Sequence, residues 1–117
     1  MFSGGFGAVE AEYVLRLEVD VSADKTDWTP AEVAAVPSTL FIGMEVASSP
    51  LATINQLGPR VVVSDFGNNN GLVMGAEIPA WTDRSDASLT CTTSIDDRQV
   101  GQGGAPQAAA RARLILL

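Results

Sequence analysis

The stretch 13–21 constrains this chain more than any other. Apolar side chains at Tyr13, Leu15, Leu17, Val19 and Val21 alternate with Arg16, Glu18 and Asp20. A period of two puts one set on each face of a strand, which is what a sheet with one buried and one wet side requires. The stretch predicts a central strand over 13–21. Leu40, Ile42, Met44 and Val46 repeat the pattern against Phe41, Gly43 and Glu45, predicting a second strand whose even-numbered side chains are buried.

Further strands follow from similar signals. The β-type runs 60–66 and 72–78 flank Gly67, Asn68, Asn69, Asn70 and Gly71, and an Asn-Gly pair between such runs predicts a hairpin. Leu89, Cys91 and Ile95 fall on one side of another alternating stretch, with Ser88, Thr90, Thr92 and Ser94 as a hydroxyl-bearing outer face. Asp96-Asp97-Arg98 then turns the chain, and 101–106, rich in glycine, reads as a flexible connection. Over 110–117, Ala110, Ala112, Leu114 and Leu116 alternate with Arg111 and Arg113. Antiparallel pairing with the opening strand sets Arg111 opposite Asp20 and Arg113 opposite Glu18, each such pair contributing about 0.2 to 1 kcal/mol.

One helix is marked by its start. Thr29 can cap it, Pro30 suits the first helical position, Glu32 completes a capping box, and Trp28 and Val33 have the spacing of a hydrophobic staple. Pro37 closes a helix predicted over 30–36, with Trp28 as its packing anchor. The stretch 47–59 reads as irregular. Residues 1–12 combine Gly4, Gly5 and Gly7 with Phe2 and Phe6 and predict an extended N-terminal arm. Its two rings either seek a partner's groove or fold back on their own domain. The expected organisation is a flexible arm over 1–12 and a single β-rich domain over 13–117, mainly β, built as a small antiparallel sandwich or barrel with one short helix.

Composition narrows the function. At 117 residues, 46% hydrophobic and 18% charged, the chain can bury one core. Fourteen acidic against 7 basic side chains, net −7, argue against nucleic acid, which is held by Lys and Arg contacts, and against anionic membranes. No stretch has the ~20 apolar residues of a membrane span, and the start lacks a signal-peptide pattern, so synthesis in a cytoplasm is expected. With no histidine and one cysteine, Cys91, triads of the Ser-His-Asp or Cys-His type are excluded, as are zinc sites built on His/Cys spacing. No phosphate-binding glycine loop follows a strand. Asp65 with Asn68, Asn69 and Asn70, Asp83 with Asp86, and Asp96 with Asp97 offer oxygens for calcium, but none matches the twelve-residue loop with its closing Glu, and Asx-rich turns bond their own backbone. The chain is therefore expected to be no enzyme and to hold no cofactor or metal.

The glycine-punctuated start of Met1 to Gly7, the alternation over 13–21 and the acidic composition together resemble small virion proteins of tailed bacteriophages, in particular head decoration (cement) proteins. These are compact β domains with extended arms that clamp neighbouring capsid subunits. The resemblance implies a structural protein, made in the host cytoplasm, that sits on the outer capsid surface of the virion and bridges subunits. Its partners would be the major capsid protein or another virion protein, together with further copies of itself, as a trimer. The partner-binding residues would be Phe2 and Phe6 in the arm and Asn68, Asn69 and Asn70 in the hairpin. A tail tube or tail terminator subunit is the sibling reading, with 60–78 between subunits. The competing class is a small ligand- or carbohydrate-binding β module with Trp28, Trp81 and Phe66 as stacking platforms.

Overall fold

A computed structural model describes residues 1–105, so the strand pairing expected for 110–117 lies outside the described residues. The fold is mainly β, with antiparallel sheets and short helices. The chain divides into two compact units, Met1–Pro79 and a second beginning at Ala80, where the sequence led to one domain over 13–117.

In the first unit β1 (Phe6–Leu17) and β2 (Ser38–Ser49) pair antiparallel from Phe6↔Ser49 to Leu17↔Ser38 with no break in register. The opening strand is thus displaced from the expected 13–21, and its limits follow from its partner. β2 starts immediately after Pro37, and the bond from the Glu18 N–H to the Pro37 carbonyl, 2.9 Å, is the last rung. Beyond it Val19 and Val21 lie in an exposed loop. Glu18 is engaged there by the Thr39 hydroxyl at 2.7 Å and by Arg16 at 2.9 Å, contacts that hold its carboxyl below the usual range. Upstream, β2 continues to Ser49, so Val9 and Ala11 carry the alternation back to Phe6.

The flexible arm expected over 1–12 is accordingly corrected, because residues 6–12 belong to the sheet. Residues 1–5 are tied to it as well. The Phe2 N–H donates to Ser48 Oγ at 3.0 Å, and that hydroxyl donates to the Phe6 carbonyl at 2.9 Å. Gly5 passes so close to the Ser49 carbonyl that a β-carbon would collide with backbone, which only glycine avoids.

The expected helix is present as α1 (Pro30–Ala34). Thr29 accepts from the Glu32 N–H, and Glu32 Oε2 accepts from the Thr29 N–H at 2.9 Å, the reciprocal capping box. Lys25 closes an ion pair on the same carboxylate. Its ammonium lies 4.7 Å from the Trp28 ring centroid, and Trp28 Nε1 donates to the Lys25 carbonyl at 2.9 Å. Trp28 is therefore the anchor of the helix start.

The hairpin expected between 60–66 and 72–78 does not form. Residues 60–64 lie in α2 (Pro59–Ser64), and β3 (Asn69–Glu77) pairs with β2, giving the order β1-β2-β3. Pro59 occupies the first turn, where its fixed φ suits a helix, and Gly58 at φ 89° redirects the chain into it. Against this, Val61, Val62 and Val63 disfavour helix by only tenths of a kcal/mol each. The segment before α2 includes a 3₁₀ turn at Ile54–Gln56 in which Ile54 is fully buried.

The second unit holds 3₁₀ turns at Trp81–Asp83 and Asp86–Ser88 and a hairpin of β4 (Thr90–Ile95) and β5 (Arg98–Gly104). Asp96 and Asp97, at φ 49° and 61°, make the two-residue turn with both central residues left-handed that matches strand twist. Thr90, Thr92 and Ser94 are exposed while Cys91 and Thr93 are half-buried, so the hydroxyl face points as expected. The connection expected over 101–106 is corrected, since Gly101 and Gly103 pair with Thr93 and Cys91.

The capping box makes Glu32 a pH-dependent support. Lys25 first, then the Thr29 backbone and hydroxyl, hold its carboxyl down to about 2 from 4.5. A lowered acid contributes stability above its unfolded value and loses it as pH falls through the folded one. Glu32→Gln should therefore unfold at lower urea than the parent at pH 7, with the difference closing as the pH approaches 2; equal midpoints at pH 7 would refute this. Thr29→Ala should cost about 1 kcal/mol at pH 7 in the same titration.

Candidate functional site

Cross-strand partners share a face of a sheet, so the register assigns every side chain of β1 and β2. Val9 pairs with Val46, Ala11 with Met44, Tyr13 with Ile42 and Leu15 with Leu40, while Met44 also pairs with Val73 of β3. These residues form one continuous apolar face, closed at one end by Leu17 and Ser38 and at the other by Gly7 and Ser48. It contains no Asp, Glu, Lys or Arg from β1 or β2. The Met1 sulfur rests over Gly7, and Phe2 is bonded to Ser48, so the first two residues border the same face.

The even-numbered side chains of β2 do share that face, as the alternation requires, but the face is not buried. Leu40 is 7% exposed, whereas Ile42 is 50%, Val9 52% and Val73 50% exposed. Among the described residues only Leu40, Ala47 and Ile54 are buried apolar side chains. Fully burying a Val or Ile contributes about 1.5 to 3 kcal/mol, so each half-open residue forgoes about 1 kcal/mol of that. Apolar surface collected in this way marks a contact site.

The opposite face carries the sheet's charged side chains, set among Phe6, Ala8, Val14, Phe41 and Ala47. Glu10 stands directly across from Glu45, and Glu12 is the next residue outward on the same side of β1. Burial first, then Glu10 and Glu45, push the Glu12 carboxyl up from its ordinary value. Asn69 Nδ2 donates to Glu45 Oε1 at 2.8 Å, and Arg16 lies 4.9 Å from the Phe41 ring centroid. Among the described residues no group of three His, Cys, Asp or Glu side chains is placed to hold a metal ion.

The five residues read from the sequence as partner-binding are not brought together. Phe2 borders the apolar face, Phe6 pairs with Ser49 and so lies on the charged side, and Asn69 is paired with Ala47 on that side too. Asn68 Nδ2 donates to Asn55 at 3.4 Å, and Asn70 sits at the start of β3. Of the aromatic platforms, Trp28 is covered by Lys25, and Trp81 lies in the unit beginning at Ala80. Phe66, the third platform read from the sequence, is 87% exposed at φ 53°, and Val63 is 75% exposed. A non-glycine residue held at positive φ is strained, a cost that accompanies contact sites.

No known protein family matches this chain, and no curated protein or solved structure matches it.

The facing carboxylates give a direct test. Like charges opposite one another destabilise a sheet, so Glu10→Gln should raise stability at pH 7 by about 0.2 to 1 kcal/mol. A raised acid binds its proton more tightly in the folded state, so its effect is to lower stability as pH climbs past 4.5 through the raised value. Denaturation midpoints from pH 4 to 8 should fall less steeply for Glu10→Gln than for the parent; parallel curves would show that Glu10 does not act on Glu12.

Proposed function

We propose that this protein is a non-enzymatic structural subunit that works by binding other protein chains, as a decoration or cement protein on the outer capsid surface of a tailed-phage virion. The observation that supports the reading is the apolar face of β1, β2 and β3, left half open where the described residues include few buried apolar side chains. A half-open apolar face of this kind gains stability when a neighbour covers it. The acidic side of the sheet and the net charge of −7 suit a protein facing solvent and repelled by the genome within. The partners on this reading are the major capsid protein or another virion protein.

Immunogold electron microscopy of purified particles from the source cells, with antibody against this chain, should label the outside of the capsid. Particles free of the chain by mass spectrometry would overturn the virion assignment, and label confined to tails would move it to a tail component.

A further inference from the structure

We propose that the apolar face of β1, β2 and β3 pairs with the same face of a second copy of this chain, sheet on sheet, about a two-fold axis running along β2. The proposal rests on the reading of the chain as a protein-binding subunit and names the occupant of that surface.

Three observations favour a second copy. The first is charge. Each copy carries −7, yet the face itself holds no charged residue from β1 or β2, and Glu10, Glu12 and Glu45 all lie on the far side. Two copies can therefore meet there with no like charges opposed. The second is shape. An axis along β2 lays β1 of one copy over β3 of the other. The row Tyr13, Ile42 and Gly75 then meets itself reversed, so that the large Tyr13 falls over Gly75, which lies beside Ile42. The row Ala11, Met44 and Val73 does likewise, setting Val73 over Ala11. Large faces small at both edges while Ile42 and Met44 meet their own counterparts near the axis, which is the self-complementarity an isologous interface needs. The third is area. Strands of 12, 12 and 9 residues, at ~3.3 Å per residue and ~4.8 Å between strands, give a face of roughly 500 Å². Two such faces, less the ends already covered at Leu40 and Ser48, bury up to about 1,000 Å², the lower bound of a specific interface, and aligned sheets pack in this manner about 10 Å apart.

Light scattering on the full chain at about 100 µM, where a micromolar pair is nearly complete, should give twice the 12.2 kDa of one chain. Ile42→Glu, at a half-exposed position, should return the mass of one chain, whereas Glu10→Gln on the far face should leave the pair intact. Ile42→Cys in a Cys91→Ser background should be captured as a dimer by a short bis-maleimide, a readout that survives if Ile42→Glu fails to fold. A parent that is monomeric, a parent of three chains, or a pair that persists in Ile42→Glu overturns the proposal. With a monomeric parent, an unchanged melting temperature in Ile42→Glu assigns the face to a different protein, and a fall of several degrees assigns it to cover from within the chain. The two readings fail separately: a dimer absent from virions removes the virion assignment alone, and a monomer found on virions removes the pairing alone.

Discussion

The unbroken pairing of β1 with β2 is the constraint on which the first unit depends. Twelve consecutive residues of each strand face one another, and the limits of the sheet are set by where that pairing can run. Pro37 stops it at one end, and the tie from Phe2 through Ser48 to Phe6 secures the other. β3 then adds to the outer edge of β2 with two irregularities in its register, near Phe41 and near Glu45. The strict pair therefore fixes which side chains share a face, and the looser one adapts to it.

Legibility in the sequence followed the range of the interactions involved. The capping box of Thr29 and Glu32 was readable because every participant lies within a few residues, and the same holds for the turn at Asp96 and Asp97. The alternation in β1 and β2 gave the correct faces, because a period of two is imposed by the backbone itself. Its limits were misjudged where a distant partner decides them: Val9 and Ala11 already carried the pattern, but the glycines before them suggested a free arm. The strand at Gly101 and Gly103 left no trace, since glycine joins a ladder by backbone alone. The run 60–66 was misassigned because its valines speak for strand while Gly58 and Pro59 dictate a helical start.

The candidate site was half legible. That Leu40, Ile42, Met44 and Val46 belong to one apolar face follows from spacing. That the face stays open does not, because exposure is a property of what else the chain folds against it. Phe66 was legible as an aromatic platform, but its exposure was not, since it comes with a left-handed backbone at the end of α2 that no local pattern announces.

The two sides of the sheet also differ in what they permit beyond a first contact. An apolar side can be satisfied once, by one covering layer, which leaves outermost a surface where Glu10, Glu12 and Glu45 stand among Leu72 and Met74. A further layer laid on that surface would bring carboxylate against carboxylate in a partly desolvated setting, and Glu12 already resists ionisation there. Carboxylates on that side therefore oppose the laying of a like-charged layer over it.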